Sequence, residues 1–197
     1  MKTTAVTIQL IAMSVLTTAA WAQATTAEKD QQRDVNQQQR IEQGLKSGQL
    51  STKEAGSLER QQQHIDKMEA RDLKNGSISP AEQARLNAAQ NRVSNQIYAD
   101  KHNGVTGNPN SASSQRMQSD VQRDVNQQKR IQNGMDNGSL TNREASKLER
   151  GQARVNGREA NAAANGHVGA REQRGIQRSE NRQSARIFRK KHNGVAK

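Results

Sequence analysis

Residues 33–105 return as residues 123–195, and any fold for this chain has to accommodate that duplication. Arg33-Asp34-Val35-Asn36-Gln37-Gln38 reappears as Arg123-Asp124-Val125-Asn126-Gln127-Gln128, and Lys101-His102-Asn103-Gly104-Val105 as Lys191-His192-Asn193-Gly194-Val195. The offset is 90 residues at both ends, so no gap separates the two copies. A chain made of two like units presents repeated surfaces. That favours binding or scaffolding over one asymmetric catalytic pocket.

Residues 1–22 read as a signal peptide. Lys2 gives a short positive start, Ala5 to Ala20 is mostly apolar or small, and Ala20-Trp21-Ala22 supplies a small-x-small cleavage site. The apolar run is too short and too interrupted by threonine for a comfortable membrane span, and no later stretch replaces it, so no transmembrane span is expected. The chain has no cysteine, hence no lipoprotein anchor and no disulfide framework. The expected location is periplasmic or secreted.

The remaining chain divides into a first helical repeat at 23–104, a flexible linker at 105–119 rich in Gly, Asn and Ser, and a second helical repeat at 120–197. Charge is shared unevenly between the copies. Residues 23–104 hold 12 basic and 11 acidic side chains, whereas 105–197 hold 18 and 8, a net of +10. The strongly basic second copy suits an anionic partner. Large apolar side chains are sparse, and Tyr98 and Phe188 are the aromatics left after the leader. Such a chain predicts long helices on narrow, coiled-coil-like seams and no deep pocket.

A shorter motif punctuates each copy. Gly48-Gln49-Leu50-Ser51 leads to Glu54, Gly76-Ser77-Ile78-Ser79 to Glu82, and Gly138-Ser139-Leu140-Thr141 to Glu144. Glycine closes one helix, and a hydroxyl three residues before glutamate opens the next as a capping box. The fourth junction, Gly166-His167-Val168-Gly169 before Glu172, lacks the hydroxyl. Apolar residues between caps step by three and four, as in Leu86, Ala89, Val93 and Ile97. The fold class is therefore all-α: two tandem copies of a three-helix antiparallel hairpin unit, with helices near 30–45, 51–74 and 79–102 in the first copy. Gly151, Gly157 and Gly175 fall inside helices of the second copy, so fraying is expected around 151–170.

Catalytic chemistry finds no support. No phosphate loop or nucleophile elbow is present. The Gly-to-Glu spacing resembles the back half of a calcium-binding loop, but Arg71 and Leu73, or Asn133 and Met135, stand where carboxylates belong. His64, His102, His167 and His192 lack ligand-spaced companions. Carboxylates alternate with Lys and Arg and read as solvated faces. The expectation is no enzyme, no cofactor and no metal site. One surface motif stands out: Arg171, Arg174, Arg178, Arg182, Arg186 and Arg189, extended by Lys190 and Lys191, form one helical stripe. Guanidinium forks suit phosphates and carboxylates. With a single aromatic nearby, base stacking and sequence-specific nucleic-acid recognition are disfavoured.

The Asn-Gln-x-x-Arg-Ile, Gly-x-Leu-Thr-x-x-Glu and Lys-His-Asn elements resemble those of a family of small exported proteobacterial helical-repeat proteins. That resemblance covers nearly all of the chain after the leader and implies no activity. A fainter similarity is to Spy/CpxP-type periplasmic chaperones, marked by Leu-Thr-x-x-Gln. Leu50-Ser51-Thr52-Lys53-Glu54 and Leu140-Thr141-Asn142-Arg143-Glu144 match it with glutamate in place of glutamine. The similarity implies recognition of an unfolded or acidic protein during envelope stress. The charge pattern alone points instead to an envelope or matrix protein docked on lipopolysaccharide, anionic lipid or extracellular DNA. Both readings leave room for a homo-oligomer.

Overall fold

A computed structural model describes residues 26–194; the leader expected at 1–22 lies outside them. The described residues form an all-helical structure: α1 (Thr26–Ser47), α2 (Thr52–Asp72), α3 (Pro80–Lys101), α4 (Ala112–Asp136), α5 (Asn142–Ala162) and α6 (Ala170–Lys191). A 3-10 turn, Leu73–Asn75, extends α2. No helix among the described residues is long and apolar enough to cross a membrane.

The helix starts follow from their caps. Ser51, Ser79 and Thr141 each accept a hydrogen bond from the N–H of the glutamate three residues on, and that glutamate accepts from the cap's own N–H. At the fourth start only half of this survives, because Gly169 has no hydroxyl, and Glu172 Oε2 accepts from Gly169 N–H at 2.8 Å. The Lys-His-Asn element closes the outer helices. His102 stacks on Tyr98 and His192 on Phe188, each with ring centroids 4.2 Å apart. Asn103 then donates to Glu54 Oε1 of the first capping box, at 2.7 Å, and Asn193 donates to Glu144 Oε1.

Within residues 26–101 the helices run up, down and up. Gln38 of α1 reaches Glu59 of α2, while Gln31 reaches Glu69 farther along, so α1 and α2 are antiparallel. Arg33 binds Asn87 and Asn91 on α3, and Arg40 binds Ser94, so α1 and α3 are parallel. Two of these bonds recur 90 residues on: Arg33 to Asn91 returns as Arg123 to Asn181, and Arg40 to Ser94 as Arg130 to Ser184.

The two halves interlock instead of sitting side by side. α2 lies antiparallel to α5, with Arg60 at Asn161, Asp66 at Asn156 and Ser146 at Ala70. α1 lies antiparallel to α4, with Gln32 bonded to Gln132 at 2.8 Å. Four helices thus form a central bundle, and α3 and α6 cover opposite flanks. One end is filled by Leu45, Leu50, Met117, Val121, Ala163, Val168 and Ile176. The other is filled by Ala27, Leu73, Ile131, Met135, Leu140, Ala145 and Leu148.

Three expectations need correction. The flexible linker at 105–119 is a short connection followed by helix. Ser111 caps α4, which begins at Ala112, and Gly107 N–H donates to Gly48 O at 2.8 Å. Residues 151–170 are not frayed, since α5 is continuous to Ala162 and most of 151–163 is buried. The glycines there permit close approach: a Cβ on Gly157 would sit 2.2 Å from Gln63 Nε2, and one on Gly151 1.9 Å from Gln183 Oε1. Nor are the carboxylates solvated faces. Asp30, Asp34, Glu59, Asp66, Glu69, Asp120, Asp124, Glu149, Glu159 and Glu180 are all buried.

Candidate functional site

Two features carry chemistry: a basic outer face and an acidic interior. On α6 the residues Gln173, Ile176, Glu180, Gln183 and Ile187 face inward. Arg171, Arg174, Arg178, Arg182, Arg186 and Arg189 occupy the opposite side and are exposed. Lys190 and Lys191 do not join them. Both are half-buried, with Lys190 Nζ 3.5 Å from Glu144 Oε1 and Lys191 Nζ donating to Arg130 O at 3.2 Å.

A second stripe lies on α5, which buries nearly everything except Arg143, Lys147, Arg150, Arg154, Arg158 and Asn161. These side chains step by four, three, four, four and three, the same helical count that singled out α6. The two stripes meet. Partial burial, followed by repulsion from Arg186 and Arg150, lowers the Arg154 pKa. On the other flank Arg189 shares a shallow groove with Arg123, Arg130 and Phe188. α6 is thus an arginine ridge between cationic neighbours. The α5 stripe was readable from sequence by the same spacing.

The acidic interior occupies the middle of the bundle. One oxygen each of Asp34, Asp66 and Glu69 lies within 4.8 Å of the others, and the same holds for Glu59, Asp124 and Glu159. The two sets correspond. Asp34 and Asp124 are 90 residues apart, as are Glu69 and Glu159, and Glu59 has Glu149 as its counterpart. Glu149 lies near enough to repel Asp34, Asp66 and Glu69, which brings a fourth carboxylate into the neighbourhood of the first set. Each set therefore draws a first-helix aspartate and a second-helix glutamate from one half and a second-helix glutamate from the other.

Burial away from water raises the pKa of every one of these groups. Asp34 rises to about 7, and Glu59 and Glu149 to about 8. Asp66, Glu69, Asp124 and Glu159 go well up, each first through desolvation and then through repulsion by neighbouring carboxylates. Around them Asp30 rises to about 6, Asp120 to about 7 and Glu180 to about 8, again chiefly by burial. Arg33 and Arg123 offset part of this at the margin, the latter with Nε 3.1 Å from Glu180 Oε2. Where the first half places Asp66 and Gln90, the second has Asn156 and Glu180. The exchange puts an amide donor at the centre, and Asn156 Nδ2 donates to Asp66 Oδ2 at 2.9 Å.

Carboxylates in these two sets could hold a metal ion; no histidine or cysteine takes part. The sequence carried a signal for them that apolar periodicity hides: Asp34, Gln38, Glu59 and Glu69 all recur unchanged at the 90-residue offset. No protein-family model, curated protein or solved structure matches the chain.

Proposed function

We propose that this is an exported, non-enzymatic protein made of a duplicated three-helix unit, which docks on a phosphate-bearing polyanion of the cell envelope or matrix through its α5–α6 face. The observation that carries this reading is the pair of exposed cationic stripes, Arg143 to Arg158 and Arg171 to Arg189, meeting at Arg154 and Arg186. Exposed arginines held on helices keep their forks free for phosphate oxygens. Their summed field also draws an anionic surface from beyond contact range.

An unfolded client fits less well. The seam residues that would meet apolar segments, such as Ile65, Leu86, Val93 and Ile97, are buried. The large hydrophobics exposed among the described residues are Tyr98, Val105 and Phe188.

The test is co-sedimentation of the purified protein with phosphatidylglycerol-containing vesicles and with vesicles of phosphatidylcholine alone, across a salt series. Binding to the anionic vesicles that weakens steeply with salt is expected. Equal affinity for both vesicle types, or suppression of client aggregation that salt does not alter, would count against this reading.

A further inference from the structure

We propose that the interior of the bundle is a double binding site for hard divalent cations, of the Ca²⁺ or Mn²⁺ class, one ion in each carboxylate set. The first ion is held by Asp34, Glu69, Asp66 and Glu149, and the second by Asp124, Glu159 and Glu59. Proximity of the six grouped carboxylates is the starting point. The pattern of partners around them carries the argument.

Five of the seven proposed ligands have their oxygens divided in the same way. Asp34 Oδ1 accepts from Gln90 at 2.9 Å, Glu69 Oε2 from Gln31 at 3.1 Å and Glu59 Oε2 from Gln38 at 2.9 Å. Glu149 Oε2 accepts from Gln128 at 3.5 Å and Asp124 Oδ1 from Gln152 at 3.4 Å. In every one of these five residues the second oxygen is buried and accepts from no amide, hydroxyl or cationic donor, and in Glu159 neither oxygen does. Asp34 meets Glu69 and Asp124 meets Glu159 carboxyl to carboxyl, contacts that need a shared proton or a bridging cation. An amide fixing one carboxylate oxygen while the other stays bare is how outer residues orient metal ligands. Glu149 adds to this from the other half: it comes from α5, is fully buried, has one unpartnered oxygen, and lies near enough to Asp34 and Glu69 for mutual repulsion.

The chemistry of what is missing points the same way. Among the described residues, every buried side-chain atom without a hydrogen-bond partner is an oxygen, and none is a nitrogen. A badly packed interior would strand donors and acceptors alike. An interior short only of positive partners must take up either protons, as the raised pKa values allow, or cations that displace them, since a buried carboxylate left charged and unpaired is among the most costly groups in a fold. None of the seven proposed ligands forms an ion pair with Lys or Arg. Carboxylate oxygens without nitrogen or sulfur select hard ions over Zn²⁺ or Cu²⁺.

The arrangement also gives a reason for the interlocked halves. Glu149 crosses from α5 to the first site and Glu59 from α2 to the second, so neither half completes a site alone.

The experiment strips the full-length protein with chelator, then measures uptake of Ca²⁺, Mn²⁺, Mg²⁺ and Zn²⁺ by native mass spectrometry, with thermal melts alongside. Two Ca²⁺ or two Mn²⁺ per chain are expected, with Tm raised by about 5 °C or more at a hundredfold excess over Kd. Glu149→Gln and Glu59→Gln should each reduce the stoichiometry from two to one, and the double variant to none. Because Gln removes a buried charge without altering shape, these variants should melt no lower than the stripped parent. A purely structural acidic core also predicts stable Gln variants, but with no ion uptake by the parent. Folded, stripped protein that takes up no Ca²⁺ or Mn²⁺, or Gln variants that keep both ions, would overturn the proposal, as would a preference for Zn²⁺.

Discussion

The two halves of the chain share an interior and differ on the surface. Asp34, Gln38, Leu50, Leu58, Glu59 and Glu69 recur as Asp124, Gln128, Leu140, Leu148, Glu149 and Glu159, and all twelve are buried. On the outer helices the opposite holds. Ala81, Ala84, Ala88, Gln96 and Ala99 of α3 stand where α6 has Arg171, Arg174, Arg178, Arg186 and Arg189. α3 therefore carries three basic and two acidic residues, and α6 eight and two. Side chains locked between helices tolerate little change, whereas an exposed helical face can gain charge with almost no effect on packing. The interior still admits exchanges, with Asp66, Gln90 and Val93 giving way to Asn156, Glu180 and Gln183, but the gain of charge is concentrated on the exposed face of α6.

The sharpest way to break this comparison is to reverse charge on one outer helix and then on the other. Arg178→Glu with Arg182→Glu should weaken binding to phosphatidylglycerol vesicles by about 1,000-fold, since each basic residue near such a surface is worth about 1 kcal/mol and reversal doubles it. The matching pair on α3, Ala88→Glu with Arg92→Glu, should change it far less. Circular dichroism melts should show both variants close to the parent in stability. Equal losses from the two pairs would mean that total charge, and not the α5–α6 face, governs docking.

The shared interior can be tested by pH. In chelator, Asp30 titrates near 6, Asp34 and Asp120 near 7, and Glu59, Glu149 and Glu180 near 8, all above ordinary carboxylates. A group whose folded pKa is raised adds stability in full below its unfolded value. It loses that contribution as pH climbs through the folded value. The metal-free protein should therefore be most stable near pH 4 to 5 and lose about 10 °C or more in Tm by pH 8. Glu180→Gln, outside both ligand sets, should flatten part of that slope. A Tm that does not fall over this range would show that the carboxylates are solvated after all.

Much of the fold was legible because its signals are local. Capping boxes at Ser51, Ser79 and Thr141 report helix starts through four consecutive residues, and they hold in the structure. The start of α4 escaped because Asn108-Pro109-Asn110-Ser111 reads as a loop, although Ser111 is also a cap. The order of α5 escaped because a glycine's helix penalty is local while its compensation is not. The amides of Gln63 from α2 and Gln183 from α6 fill the space beside Gly157 and Gly151, a closeness that exists only once the helices meet. The acidic interior escaped for a related reason. Alternation with Lys and Arg suggests exposure, yet Glu59 sits beside Leu58 on the face that turns toward the other half.

That closeness gives the next test. A Cβ on Gly56 would lie 2.5 Å from Ala163 Cβ, where α2 crosses α5. Gly56→Leu should cost about 1–3 kcal/mol by forcing the central helices apart. Urea denaturation would measure it, and a neutral result would mean that the two halves are not held at this distance.

The smallest expected effect separates a glycine that is needed from one that is not. A Cβ at Gly175, inside α6, would meet nothing within 4 Å. Gly175→Ala should therefore stabilise the protein by about 0.5–1 kcal/mol, the ordinary gain in helix propensity. At Gly151 the same propensity gain is opposed, because a Cβ would displace the amide of Gln183, whose Nε2 donates to Leu148 O at 2.8 Å across the α5–α6 contact. Gln183 is buried, so its amide would have to find new partners inside the protein. Gly151→Ala should consequently be neutral to destabilising. If both substitutions stabilise equally, α6 is held less closely to α5 than these distances require, and the arginine ridge would lose the fixed position that brings Arg186 beside Arg154.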